Sequence, residues 1–140
     1  MLERLTSKCQ PNDTKIVSRD KGATVRHVAL NEKGSNTVRQ YQLDGELVKN
    51  QTCCDFLLLN DTKVNAYFIE LKGSDIKRGI EQLDETAKML RAELINYTFY
   101  YRLVSSKVNT HDVKSSEYRK FKEKHYPFFE HKNREIVDIL

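Results

Sequence analysis

Two apolar runs in the middle of the chain are typical of buried β-strands. The first is "TCCDFLLLND" at 52–61 and the second is "KVNAYFIELKG" at 63–73; both are short and nearly continuous in apolar residues. The polar stretch between them, "NDTK" at 60–63, is short enough for a hairpin. The pattern therefore predicts two neighbouring strands joined by a tight turn.

The period of the apolar positions changes after residue 75. Apolar residues then recur every three or four positions, which places one stripe along a helix: Ile76, Ile80, Leu83, Ala87, Leu90 and Leu94. Ser74 or Asp75 is placed to cap the N-terminus of this helix. A separate polar stripe of the same helix consists of Asp75, Arg78, Gln82 and Thr86.

The remaining segments complete the predicted element order. A helix is expected within the first ~20 residues, and a basic helix at 115–126 is ended by Pro127. Strands are predicted at 95–106, at 134–140 and, as two strands about the turn "NEKGSN", within 23–45. Because a strand–helix–strand step is present, we expect an α/β (α+β) fold: a central mixed sheet of four to six strands, flanked by helices.

Length and composition indicate one soluble globular domain over 1–140. The chain is 39% hydrophobic and 31% charged, and no apolar run of ~18 residues is present to span a membrane. The N-terminal segment lacks a signal-type apolar core, so a cytoplasmic location is expected. Three cysteines, two of them adjacent, favour a reducing compartment over a disulfide framework, and the scattered histidines do not favour a zinc site.

The net charge of +4 is unevenly distributed. Residues 107–134 carry eight Lys or Arg and four Asp or Glu. The net charge of this segment therefore equals the net charge of the whole chain. Such a segment is suited to contact a polyanion, although a solvated helix face has the same appearance.

Charged residues interrupt both apolar runs: Asp55 in the first, and Glu70 and Lys72 in the second. Because side chains alternate across a strand, Glu70 and Lys72 share one face, and Asp55 shares a face with Leu57 on the preceding strand. Two converging carboxylates are the kind of site that Mg²⁺ or Mn²⁺ accepts, and a nearby lysine can hold an attacking water or neutralise charge on a phosphate. The alternative is a Glu70–Lys72 pair that simply reaches solvent at a strand end.

Asp55, a short connection, then Glu70-Leu71-Lys72 and a helix resemble the PD-(D/E)XK nuclease superfamily, which includes restriction endonucleases and Holliday-junction resolvases. The resemblance covers residues 44–105 and implies a restriction-endonuclease-like fold. It implies that Asp55, Glu70 and the backbone carbonyl of Leu71 bind Mg²⁺ or Mn²⁺ and that Lys72 is the catalytic lysine. It also implies that Gln82 supports the site from the following helix.

The sequence departs from the superfamily pattern at two points. Cys54 stands where the signature proline would be, and no clear acidic residue lies on a first helix, for which Glu3 is a weak candidate. Asp44 is a second candidate for an extra acid, and its alternative is an ordinary turn aspartate before Gly45.

The leading functional hypothesis is a Mg²⁺-dependent nuclease that acts on nucleic acid, with DNA as the expected substrate. The basic residues expected to grip the phosphate backbone are Lys77, Arg78, Lys114, Arg119, Lys120, Lys122 and Lys124. The protein is expected to act as a homodimer or as a component of a larger complex. The alternative hypothesis is a nucleic-acid-binding or partner-subunit protein that has the nuclease fold without activity of its own.

Overall fold

The computed structural model describes residues 1–47, 52–72, 74–107 and 110–140. Within these ranges the chain forms three α-helices: α1 (Ile76–Leu90), α2 (Thr110–Val113) and α3 (Ser116–His125). It also forms eight strands: β1 (Lys15–Ser18), β2 (Arg26–Leu30), β3 (Val38–Gln42), β4 (Phe56–Asn60), β5 (Asn65–Lys72), β6 (Thr98–Ser105), β7 (Phe129–Asn133) and β8 (Glu135–Ile139). None of the helices within these ranges is long and apolar enough to cross a bilayer.

The strands form two sheets. The larger has the order β3-β4-β5-β6-β7, antiparallel from β3 to β5 and parallel from β5 to β7. The smaller has the order β1-β2-β8, in which β8 lies parallel to β2. The predicted mixed sheet is therefore confirmed with five strands, whereas the second sheet was not predicted.

The larger sheet is the middle of three layers. Helices α1 and α3 cover one face, where Phe68 and Leu103 pack with Leu83. The smaller sheet covers the opposite face, where Ile69 packs with Ile136. Because both faces are buried, β4 and β5 are continuous apolar runs rather than alternating ones.

The hairpin and the following helix form as the sequence predicts. The turn between β4 and β5 is held by the Asn60 side chain, whose Oδ1 accepts from the backbone nitrogens of Thr62 and Lys63 at 3.1 Å each. All six residues of the predicted apolar stripe are buried, five of them in α1 and Leu94 in the turn that follows it. Asp75 is the N-cap, and its Oδ1 accepts from the backbone nitrogen of Arg78 at 3.1 Å.

The prediction of a helix within the first ~20 residues is wrong. The described residues there contain only a 3₁₀ turn at Leu2–Arg4, followed by β1. The physical reason lies in the strand itself, since the β-branched residues Ile16 and Val17 pair with Ala29 and Val28 of β2.

The two strands predicted within 23–45 exist as β2 and β3, but they belong to different sheets. Asn31 and Asn36 direct the chain from one sheet to the other. The Asn31 side chain accepts from the Asn36 backbone nitrogen at 2.9 Å and donates to the Asn36 carbonyl at 2.8 Å. These buried bonds satisfy the backbone where it leaves the small sheet.

The strand β7 was not predicted. It continues through Arg134 into β8, and Arg134 has φ 69°, so the chain turns sharply and passes from the large sheet into the small one. Backbone hydrogen bonds link this turn to both sheets. The Arg134 nitrogen donates to the Ser105 carbonyl at 2.8 Å, and the Arg134 carbonyl accepts from the Arg26 nitrogen at 3.0 Å.

A buried ion pair joins the two sheets. The Arg102 guanidinium of β6 donates to both carboxylate oxygens of Asp138 in β8, at 2.8 and 3.0 Å, and His27 of β2 lies 2.7 Å from the same carboxylate. Burial alone would raise the pKa of Asp138, but the bonds from His27 and Arg102 outweigh it and lower the pKa to about 2. Asp138 is therefore ionised over most of the pH range.

Candidate active site

The structure brings Asp55 and Glu70 together on the helix-facing side of the large sheet. The last register pair between β4 and β5 is Phe56 with Ile69, so Asp55 and Glu70 occupy the next position of the hairpin. The side chains of both residues are buried, with 7% and 1% of their surfaces exposed. The predicted shared face is confirmed.

Asp55 is fixed by the backbone of the neighbouring strand. Its Oδ2 accepts a hydrogen bond from the Leu71 nitrogen at 2.8 Å. Because the N–H and C=O of one strand residue point to the same side, the Leu71 carbonyl also points toward the Asp55 side of β5. The arrangement brings together three oxygen-bearing groups: the carboxylates of Asp55 and Glu70 and the carbonyl of Leu71.

Glu70 is the most perturbed group of the site. Its Oε2 lies 3.5 Å from Lys72 Nζ, while its buried Oε1 has no hydrogen-bond partner within the described ranges. Burial, followed by the charge of Asp55, raises the pKa of Glu70 to about 9, and Lys72 offsets only part of this effect. Without a further cation, Glu70 therefore holds a proton at neutral pH.

Two more carboxylates, those of Asp20 and Asp44, lie near Asp55. Burial raises the pKa of Asp55 to about 6, although the hydrogen bond from Leu71 lowers it, and the charges of Asp20 and Asp44 add to the rise. Asp44, a candidate for an extra acid, therefore lies near the site. The Leu43 nitrogen donates to the Asp55 carbonyl at 2.8 Å and fixes this approach.

Sequence reasoning missed Asp20. Burial raises the pKa of Asp20, the charge of Asp44 raises it further, and Lys72 lowers it, so Asp20 faces the same group of residues. It lies in the connection between β1 and β2, which no periodic pattern marks. The only local signal is an acid between two cations, in "SRDKG".

Helix α1 holds the segment before Asp55. Thr86 Oγ1 accepts from the Cys54 nitrogen at 2.7 Å, and Gln82 Nε2 donates to the Cys53 carbonyl at 3.2 Å. Gln82 therefore supports the site through the backbone and does not bond to Asp55 or Glu70. The predicted polar stripe is not all solvated, since Thr86 is fully buried.

Gly79 permits the close approach of α1 to β5. A Cβ at this position would lie 2.8 Å from Leu103 Cδ1, 3.2 Å from Lys72 Cγ and 3.6 Å from Glu70 Cγ. A larger residue would therefore press on Leu103 and on Lys72. Glycine is unfavourable in a helix interior, and the tight contact gives a physical reason for it here.

A chain of hydrogen bonds lies beside Lys72. Ser105 of β6 is the register partner of Lys72, and its hydroxyl lies 2.9 Å from His131 Nε2. His131 Nδ1 lies 2.9 Å from the hydroxyl of Tyr118 in α3. Burial, with a smaller contribution from Lys122, lowers the pKa of His131, so the chain links neutral groups.

The structure does not bring Glu3 to this site. Glu3 accepts from the Met1 amino group at 2.6 Å, and the same amino group donates to Glu93 at 2.7 Å. Glu93 follows the C-terminal end of α1, whereas Glu70 packs near Gly79 in its first half. Since a helix of this length spans about 22 Å, Glu3 is too distant to serve as the extra acid.

Three of the cations predicted to bind nucleic acid line a groove of about 490 Å³ between α1 and α3, here called the α1–α3 groove. Acidic residues line the same groove in equal number. Its charged residues are Lys77, Lys120, Lys124, Glu81, Asp84 and Glu117. The groove is therefore balanced in charge.

The other predicted cations lie on separate surfaces. Arg119 and Lys122 line a different groove on α3. Arg78 donates to Glu81 at 3.2 Å, and Lys114 is exposed just before α3. The structure thus distributes the predicted basic segment over several faces and does not gather it at Glu70.

Comparison with known proteins gives no match for this chain: no protein-family model, no curated protein and no solved structure matches it.

The donor set fits a hard divalent cation. Carboxylate and carbonyl oxygens are the ligands that Mg²⁺ and Mn²⁺ prefer, and the partnerless Oε1 of Glu70 is a buried acceptor that a cation would satisfy. No group of three or more His, Cys, Asp or Glu side chains in the described part of the chain is arranged to hold a metal. A cation here would rest on Asp55, Glu70 and the Leu71 carbonyl and keep several waters, as Mg²⁺ commonly does.

Proposed function

We propose that this protein is a divalent-metal-dependent nuclease of the PD-(D/E)XK type, which hydrolyses phosphodiester bonds in DNA. The observation that carries the proposal is the pair of buried carboxylates, Asp55 and Glu70, with Lys72 next to them. Burying two acids together is costly unless a cation or a proton compensates them. Two carboxylates are rarely buried together for a structural role alone, whereas metal-binding sites commonly bury them together.

The order of elements around the site supports the same proposal. The hairpin β4–β5 carries Asp55 and Glu70, α1 follows directly, and β6 returns parallel to β5. The superfamily resemblance rests on the same order of residues: Asp55, a short connection, Glu70-Leu71-Lys72 and then a helix. The expected first helix is absent from the described residues, where β1 and β2 are present instead, and Asp20 in their connection is our candidate for the additional acid.

Each residue has a defined task in the proposed reaction. Asp55, Glu70 and the Leu71 carbonyl would hold the cation. When bound, the cation supplies Lewis acidity toward a phosphate oxygen and lowers the pKa of a water molecule. The Lys72 ammonium, 24% exposed at the edge of the buried pair, orients the attacking water and stabilises negative charge that develops on the phosphate.

Cleavage of a nucleic-acid panel tests the proposal. Supercoiled, linear, branched and single-stranded DNA, and RNA, are incubated with Mg²⁺ or Mn²⁺ and with EDTA. The tested variants are Lys72→Ala and Asp55→Asn, and their matched controls are Lys88→Ala and Asp84→Asn in α1. We expect metal-dependent cleavage by the wild type and both controls, and its loss in both tested variants.

Two results would contradict the proposal. Cleavage that persists in EDTA would exclude the metal-dependent mechanism, and cleavage retained by Lys72→Ala and Asp55→Asn would exclude this site. Binding without cleavage of any substrate would favour the alternative, a nucleic-acid-binding protein with this fold.

A further inference from the structure

Four exposed cations lie around the end of β5 and outside the basic segment that the sequence singles out. They are Arg19, Lys21, Lys107 and Arg134, here called the basic rim. Across the described ranges, none of these side chains forms an ion pair with another residue. The basic rim therefore presents its charges to solvent without compensation.

Backbone hydrogen bonds place half of the basic rim beside Lys72. The Ser106 nitrogen donates to the Lys72 carbonyl at 3.0 Å, and Lys107 is the next residue. The Arg134 nitrogen donates to the carbonyl of Ser105, the register partner of Lys72, at 2.8 Å. Both cations thus follow directly from strands that end at the site.

The other half of the basic rim is carried by the connection between β1 and β2. Arg19 and Lys21 flank Asp20, whose pKa responds to the charges of Asp44 and Lys72. This connection leads into β2, whose first residue, Arg26, donates from its backbone nitrogen to the Arg134 carbonyl at 3.0 Å. Arg19 and Lys21 therefore lie on a loop that adjoins Arg134. The two halves approach the carboxylates from different elements.

The α1–α3 groove is a weaker candidate for holding a polyanion. Its three lysines face three acids, so a phosphate backbone in the groove would meet as much repulsion as attraction. Phosphate binding depends on cations that can release condensed counterions, and unpaired cations are best suited to do so.

We infer that the basic rim, and not the α1–α3 groove, holds the nucleic-acid backbone across the Asp55–Glu70 site. This inference rests on the proposed function and specifies where its substrate lies. The contacts are to phosphates, so they fix the position of the substrate without reading its sequence.

Binding without cleavage tests the inference. A labelled DNA duplex of about 20 base pairs is titrated with protein in EDTA by fluorescence anisotropy, over about 50 to 200 mM NaCl. The rim variant is Lys21→Gln/Lys107→Gln, and the matched groove variant is Lys120→Gln/Lys124→Gln, which removes the same charge. Far-UV circular dichroism checks that both variants are folded.

The rim variant should bind more weakly, and the slope of log affinity against log salt should decrease by about 1.8, because each lost phosphate contact removes about 0.9. The groove variant should bind as the wild type does. Equal losses in both variants, or a loss confined to the groove variant, would overturn the inference while leaving the proposed function intact. A wild-type protein that does not bind the duplex at any of these salt concentrations would overturn the proposed function itself.

Discussion

Glu70→Gln should make the protein more stable while it abolishes the proposed cleavage. The carboxyl has an ordinary pKa of 4.5, and burial together with the Asp55 charge raises the pKa to about 9 in the folded protein. Between these values the folded state keeps a proton that the unfolded chain releases. The free energy of unfolding therefore falls as pH rises through this window, by about 1.4 kcal/mol per pH unit.

An amide resembles the neutral carboxylic acid but has no proton to exchange. The stability of Glu70→Gln relative to the wild type should therefore increase with pH, by about 3 kcal/mol from about pH 5.5 to about pH 7.5. This change is a large fraction of the free energy of unfolding of a typical domain, which is about 5–15 kcal/mol. The variant should lose activity because an amide is a poor ligand for a divalent cation.

Urea unfolding followed by far-UV circular dichroism, in EDTA at both pH values, measures the effect. Glu81→Gln is the matched control, because Glu81 is exposed on α1 and its substitution should leave the pH dependence unchanged. A Glu70→Gln variant with the same pH dependence as the wild type would refute the reasoning. It would show that the Glu70 carboxylate is ionised and well compensated in the folded protein.

Three further substitutions test the packing around the site and the fold. Gly79→Ala should cost about 1 kcal/mol net in urea unfolding, since contact with Leu103 outweighs the gain in helix propensity, and it should lower cleavage by displacing Lys72. Asp138→Asn should remove about 2 kcal/mol of stability at neutral pH and flatten the loss that the wild type shows as pH falls from about 4 to about 2. Thr86→Val should cost about 1–3 kcal/mol in the same unfolding assay, because it leaves a buried backbone nitrogen without its acceptor.

Local periodicity was sufficient to predict the central part of the fold. The hairpin β4–β5, the helix α1 and the shared face of Asp55 and Glu70 depend on alternation and helical spacing within single segments, which the sequence displays directly. The proximity of Asp55, Glu70 and Lys72 could be predicted for the same reason, since they lie within 18 positions of one another.

The remaining features depend on contacts between distant segments. Asp20 reaches the site only because β1 and β2 form a separate sheet, and β2 leaves that sheet through the buried bonds of Asn31. The route of β7 through Arg134 into β8 likewise places the backbone of Arg134 against Ser105, the register partner of Lys72. No pattern within a single segment contains this information.

Calorimetric titration of Mn²⁺ into the protein tests most directly whether Asp55 and Glu70 form a cation site. The wild type, Asp55→Asn and Glu70→Gln are compared with the control Asp84→Asn, an acidic residue of the α1–α3 groove. We predict one site in the wild type and the control, and at least about tenfold weaker binding in each site variant, since each removes a charged oxygen ligand. Equal affinity in all four proteins, or no binding by the wild type, would contradict the proposed metal centre and the nuclease function that depends on it.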